Sequence, residues 1–197
     1  MITIFDYGAG NLQSVQNTLS ELNATYHLTN TPEGLRQATK IILPGVGHFG
    51  QMLHALDTLQ VRETLRQRIE AGVPFLGICL GLQGLFESSE EAPEAKGLAI
   101  FPGTVKRFPA EARVPHMGWN EVTAVRPCAL LEGAGPHPYL YFAHSYYVPE
   151  TNVTAATCTY TIPYTAVLHS NNIYGVQFHP EKSGPTGLKV VSNFLKI

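Results

Sequence analysis

Val73-Pro74-Phe75-Leu76-Gly77-Ile78-Cys79-Leu80-Gly81-Leu82-Gln83 is the stretch that decides how this chain is read. Val73 to Ile78 is a compact apolar run that predicts a buried strand, and a helical pattern begins directly after Cys79. Glycines two residues to either side of Cys79 make this a nucleophile elbow, a tight strand-to-helix turn that holds its central residue in a strained conformation. A helix N-terminus beneath the sulfur favours the thiolate, and its free N–H groups can hold an oxyanion. Cysteine is also common as a small buried apolar side chain. The elbow therefore needs companions before it means catalysis.

Upstream, short apolar runs alternate with amphipathic stretches. Ile2 to Tyr7 reads as a strand stopped by a Gly8-Ala9-Gly10 turn, with Asn11 placed to cap a helix carrying Leu12, Val15, Leu19 and Leu22. Tyr26 to Thr29 predicts a second strand, Pro32 to Ala38 a short helix, and Lys40 to Leu43 a third strand ended by Pro44-Gly45-Val46-Gly47. Phe49 to Ala71 predicts two helical pieces. Strand, helix, strand, helix is the signature of an α/β fold, a mostly parallel central sheet with helices on both faces. Downstream, Pro102, Pro109, Pro115, Pro127, Pro136, Pro138, Pro149 and Pro163 cut the second half into short strand-like segments. No repeat or linker interrupts the chain, so residues 1–197 are expected to form a single domain.

Composition narrows the function. Of 197 residues, 13 are basic and 15 acidic, and a formal charge of −2 offers nothing to a phosphate backbone. At 44% apolar and 14% charged the chain is no disordered tail, and no apolar run approaches the roughly 18–20 residues that span a bilayer. The opening Met-Ile-Thr-Ile-Phe-Asp has no basic region and does not read as a signal peptide. Cys79, Cys128 and Cys158 are odd in number and widely spaced, which suits a reducing cytoplasm and disfavours a disulfide framework or zinc site. No ligand cluster calls for a metal or another cofactor.

The elbow's companions lie far along the chain. In Gln177-Phe178-His179-Pro180-Glu181, Tyr174, Val176 and Phe178 alternate on one face while Gly175, Gln177 and His179 take the other. Pro180 keeps His179 extended, so that Glu181 can orient its imidazole. Alone, such a pair also reads as a strand-end histidine beside a solvated acid. Together, Cys79, His179 and Glu181 supply nucleophile, base and orienter for acyl transfer through a thioester. Gly45 and Gly47, flanking Val46, free that backbone to turn an N–H toward the site.

These segments resemble the class I (triad) glutamine amidotransferases. Within that family, Pro44-Gly45-Val46-Gly47-His48-Phe49-Gly50, Pro115-His116-Met117-Gly118-Trp119-Asn120-Glu121 and Phe142-Ala143-His144-Ser145-Tyr146 are similar to the glutaminase subunits of imidazole glycerol phosphate synthase. The resemblance covers essentially the whole length. It implies that glutamine is hydrolysed at Cys79, with ammonia passed to a separate (β/α)8-barrel cyclase subunit in histidine biosynthesis. It further implies oxyanion donors at Val46 and Leu80, with Leu80 standing ready and Val46 recruited. Glutamine contacts are implied at Gly45, Gln83, Glu91, Ser145 and Tyr146, and a partner interface at Trp119, Asn120, Tyr141 and Lys182. Two positions depart from the family pattern: Gly84, where a bulkier apolar residue is usual, and Thr161, where glycine is. Glutaminases of the anthranilate, aminodeoxychorismate or GMP synthase type share the triad, and a catalytically silent scaffold would share the fold.

Overall fold

The computed structural model describes residues 2–8 and 11–197; Ala9 and Gly10 of the expected first turn lie outside the described residues. The first half runs β1 (Ile2–Phe5), α1 (Leu12–Glu21), β2 (Tyr26–Thr29), α2 (Pro32–Gln37), β3 (Lys40–Leu43), α3 (Phe49–Thr58), α4 (Arg62–Glu70), β4 (Phe75–Ile78) and the four-residue helix α5 (Leu80–Gln83). The second half runs β5 (Phe86–Ser89), β6 (Phe101–Arg107), β7 (His116–Glu121), β8 (Thr123–Ala124), β9 (Tyr139–His144), β10 (Tyr146–Tyr147), β11 (Thr154–Tyr160), β12 (Ile162–Ser170), β13 (Ile173–Val176) and α6 (Gly184–Lys196).

An eight-stranded sheet in the order β2-β1-β3-β4-β13-β12-β11-β8 forms the frame. Its pairs are parallel from β2 through β13 and antiparallel from there to β8, so the parallel reading holds for the half that carries the elbow. Alternate side chains of each central strand enter opposite cores. Ile4, Ile42, Leu76, Ile78, Tyr174 and Val176 pack with Val15 and Leu19 of α1 and with Val190, Val191 and Phe194 of α6. Phe5, Ile41, Leu43, Phe75 and Ile173 pack on the other face with Leu35, Met52, Leu56, Leu65 and Ile69 from α2, α3 and α4. β4 is buried along its whole length, which is why its sequence reads as continuously apolar. Two small sheets, β10-β6-β5 and the antiparallel pair β7-β9, border the C-terminal end of β4.

Of the two departures from the family pattern, Gly84 has a structural reason and Thr161 carries a cost. A Cβ on Gly84 would sit 2.5 Å from Cε of Met52, which fills that space. Thr161 lies in the left-handed region at φ +60°, between the paired Tyr160 and Ile162. That conformation costs an L-residue roughly 1–2 kcal/mol, and a branched side chain suffers most. Glycine removes the strain but raises the unfolded chain's entropy by about 0.4–1 kcal/mol, so relief wins narrowly. Thr161→Gly is expected to raise the melting temperature by about 2–4 °C per kcal/mol gained. A lower melting temperature by calorimetry would contradict this.

Candidate active site

Cys79 sits at φ +53°, ψ −106°, the strained geometry that the flanking glycines permit. The two glycines are needed for space. A Cβ on Gly77 would approach the Gly81 carbonyl oxygen to 2.5 Å, and one on Gly81 would lie 2.1 Å from the carbonyl oxygen of Leu43. The Cys79 amide donates to the Val176 carbonyl at 2.7 Å, tying the elbow to β13, and its own carbonyl accepts from Leu82 and Gln83. The sulfur is thus fixed above β4 while the side chain stays 6% exposed.

β13 delivers the partner groups. Phe178 fills the α1/α6 core, while Gln177 and His179 face the elbow, as the alternation predicts. The strand itself ends at Val176, and Pro180–Lys182 form a single 3-10 turn instead of continuing extended. That turn brings the Glu181 carboxylate back to His179, with Oε1 2.8 Å from Nδ1. Their side chains are only 1% and 2% exposed. Burial opposes a charge on His179, but the nearby Cys79 sulfur and then Glu181 outweigh it and raise the imidazole to about 10. A raised pKa contributes stability that is fully present below the unfolded value of about 6.5 and is lost as pH rises through about 10. The melting temperature should therefore fall more steeply over that window than in His179→Gln. Parallel curves would contradict the ion pair.

Three positioning contacts were not legible in the sequence. Asn11, expected to cap α1, makes no side-chain cap; its amide donates to Glu181 Oε1 instead. Ser183 Oγ donates to the His179 carbonyl at 2.6 Å and accepts from the Tyr141 amide at 2.9 Å, clamping the turn to β9. Gln177 Nε2 lies 3.5 Å from Cys79 Sγ. The one available signal was position: Gln177 opens the His179 segment, Ser183 lies two residues after it, and Asn11 directly follows the Gly8-Ala9-Gly10 turn.

A cleft of about 350 Å³ opens beside the sulfur, lined by Val46, Cys79, Leu80, Gln83, Glu91, Ser145, Tyr146 and His179. Gln83 Nε2 donates to the Tyr146 carbonyl at 2.9 Å and to Gln177 Oε1 at 3.1 Å, which leaves its own Oε1 for a ligand. Glu91 Oε2 accepts from the Phe49 amide at 2.7 Å, so one carboxylate oxygen caps α3 while the residue still borders the cleft. Gly45 lies beneath, where a Cβ would be 2.6 Å from the Gly81 nitrogen.

The place beside the Leu80 amide, where the sequence leads us to expect an oxyanion donor, is filled from within. The Leu80 amide, expected to stand free, donates to the Gly45 carbonyl at 3.4 Å. That carbonyl and the Val46 N–H belong to one trans peptide and point in opposite directions. With the oxygen turned toward Leu80, the Val46 N–H faces away from the cleft. Rotation of this one peptide would free Leu80 and present both donors together.

The rim of the cleft meets an exposed apolar face. Trp119 pairs with Tyr141 in the β7-β9 register, their rings 6.2 Å apart, and Lys182 Nζ lies 6.0 Å from the Tyr141 ring. Met117, Trp119 and Tyr139 are each more than half exposed, at 64%, 54% and 55%. Asn120 falls on the opposite side of β7, where its amide reaches His116 and the Thr159 carbonyl.

Comparison with known proteins agrees with this architecture. Residues 3–197 match the family Glutamine amidotransferase class-I. A protein of Desulfitobacterium hafniense (strain Y51) named imidazole glycerol phosphate synthase subunit HisH is 47% identical over 198 aligned residues, covering 100% of this chain and 94% of that protein. Subunits of the same name from Methanothermobacter thermautotrophicus and Methanocaldococcus jannaschii are 48% and 46% identical over 100% of this chain, covering 98% and 100% of theirs. A crystal structure of a glutamine amidotransferase superposes with a TM-score of 0.78 at 18% identity, covering 99% of this chain and 97% of that one. With the elbow, the buried Cys-His-Glu arrangement and this full-length match together, the chain belongs to the class I glutamine amidotransferase family and is a glutaminase.

Proposed function

We propose that this chain is the glutaminase subunit of an imidazole glycerol phosphate synthase, feeding ammonia to a (β/α)8-barrel cyclase subunit in the cytoplasm. The observation that carries the reading is the placing of a strained Cys79, a raised His179 and a buried Glu181 at the mouth of one cleft. Whole-length identity to subunits of that name supports the choice of pathway. Among the described residues no helix is long and apolar enough to cross a membrane.

The chemistry follows from the geometry. Glutamine lies in the cleft with its α-amino and α-carboxylate groups met by Gln83, Glu91, Ser145 and Tyr146. The Cys79 thiolate attacks the side-chain carboxamide carbon, forming a C–S bond and an oxyanion. The Leu80 and rotated Val46 amides hold that oxygen. His179 gives its proton to the departing nitrogen, the C–N bond breaks, and ammonia leaves with a γ-glutamyl thioester on Cys79. His179 then takes a proton from water, hydroxide displaces sulfur, and glutamate is released. Glu181, held by Asn11, keeps the imidazole oriented throughout. Free ammonia would be protonated at neutral pH and lose its nucleophilicity, so direct delivery to a docked cyclase preserves it. Trp119, Tyr141 and Lys182 offer the aromatic and cationic anchors for that docking, with Asn120 on the same strand.

The resting Gly45–Val46 peptide makes a further prediction. One oxyanion donor is worth about 10²–10³ in rate, so glutamate release should rise by at least that factor when a cyclase subunit carrying its ribotide ligand is added. Equal rates with and without the partner would contradict the proposed coupling. Cyclisation supported by added ammonia but not by glutamine when Cys79 is replaced would confirm the division of labour.

A further inference from the structure

A second polar chain runs through the protein, separate from the triad. His116, His144 and Tyr164 are buried at 4%, 6% and 0% exposure, packed among Phe108, Phe142 and Tyr160. Burial lowers the two imidazoles to about 4 and about 3, so both rings are neutral near neutral pH. Neutral rings carry one proton each, and this fixes every donor and acceptor along the chain. The Tyr146 carbonyl can only accept, so His144 Nδ1, 2.8 Å away, holds its proton there. His144 Nε2 is then bare and accepts from the Tyr164 hydroxyl at 3.2 Å. That uses the one proton Tyr164 has, so His116 Nδ1 donates to the Tyr164 oxygen at 3.2 Å. The neighbouring Cys158 thiol, pushed up to about 11 by burial and so protonated, is a second donor to that oxygen. His116 Nε2 is left to accept from Asn120 Nδ2 at 3.4 Å, and the same amide group reaches the Thr159 carbonyl at 3.0 Å.

All the links therefore point one way, from Asn120 on β7 to the Tyr146 carbonyl at the cleft. There the chain meets the site, because Gln83 Nε2 donates to that carbonyl and to Gln177, and Gln177 Nε2 faces Cys79 Sγ. We propose that Asn120, His116, Tyr164 and His144 form a positioning relay that fixes the Tyr146 carbonyl and, through it, the Gln83 side chain that receives the substrate. The proposal rests on the glutaminase reading and adds that substrate affinity is set from β7, the strand whose other face exposes Met117 and Trp119. The relay touches no reacting atom, so it governs KM and leaves the chemical step alone.

The test is a double-mutant cycle on the full chain, reading glutamate release against glutamine concentration. Tyr164→Phe removes one hydroxyl from a ring that otherwise stays packed. It should raise KM by about tenfold, the scale of one lost hydrogen bond, with kcat changed by less than about twofold. Asn120→Ala should raise KM in the same direction from a half-exposed position, and the double variant should show no more than the larger single effect. Nitrogen NMR should show the Nδ1-protonated tautomer of His144 in the wild type and in Tyr164→Phe alike, with the His144 Nε2 resonance alone moving to that of an unbonded ring nitrogen in the variant. An unchanged KM in either single variant, or effects that multiply in the double, would overturn the relay. Should Tyr164→Phe not fold, Asn120→Ala alone decides by the same KM and kcat readings. Absence of glutamate release from the wild type would instead refute the glutaminase reading, so the two failures are distinguishable.

Discussion

Cys79→Ala is expected to lower glutamate release by about 10⁴–10⁶-fold, the usual loss on deleting a triad nucleophile. The fold should survive, because alanine keeps the Cβ and every backbone bond of the elbow, including the 2.7 Å bond to Val176. The left-handed backbone remains strained for alanine as it is for cysteine, so the variant offers no release of strain that would let the turn relax. His179 then loses the sulfur, the first of the neighbours that raise it, and keeps only Glu181 against burial. Its imidazole should titrate at lower pH in Cys79→Ala than in the wild type, readable by proton NMR. Glutamate release that persisted at the wild-type rate would remove Cys79 from the mechanism altogether.

Gly81→Ala should produce the largest loss of stability among single-atom additions at the site. Two effects oppose each other. Alanine at a helical position favours the folded state by about 1 kcal/mol over glycine. Against that, the new Cβ would sit 2.1 Å from the Leu43 carbonyl oxygen, and the atom in the way belongs to the backbone of a central strand. It cannot rotate aside as a side-chain tip would. Overpacking costs about 1–3 kcal/mol, and a backbone atom that cannot rotate aside at this distance puts the cost at the upper end of that range, so the clash wins. The expected outcome is a net loss of about 2 kcal/mol in urea unfolding, with lower activity as the Leu80 amide shifts from its place against Gly45. An unchanged midpoint would mean that the elbow and β3 are not in the contact described.

How far the sequence led depends on the range of the interaction concerned. β2 and β3 match their predicted limits because a run of apolar and branched residues is local information. The two helices between Phe49 and Ala71 were likewise carried by the spacing of their leucines. Cys79, His179 and Glu181 were legible as a set because glycine and proline mark the turns that hold them. Asn11 does stand at the N-cap position of α1, but its side chain makes no cap bond; its partner, Glu181, is 170 residues away and no local pattern points there. The extension expected through Glu181 gave way to a 3-10 turn, which closes on His179 and gives Oε1 of the buried carboxylate a partner. The direction of the Gly45–Val46 peptide was beyond any sequence reading. Glycine permits both orientations, and the Leu80 amide opposite, far off in sequence, favours the one seen.

The central claim is covalent: glutamine nitrogen leaves while the γ-glutamyl group is bonded to Cys79. It is tested most directly by acid-quenching the chain during turnover with glutamine and mapping the adduct by peptide mass spectrometry. A γ-glutamyl thioester on the peptide containing Cys79, absent from Cys79→Ala, is the result expected. Steady glutamate release with that peptide unmodified at every quench time, or with the adduct on another residue, would contradict it.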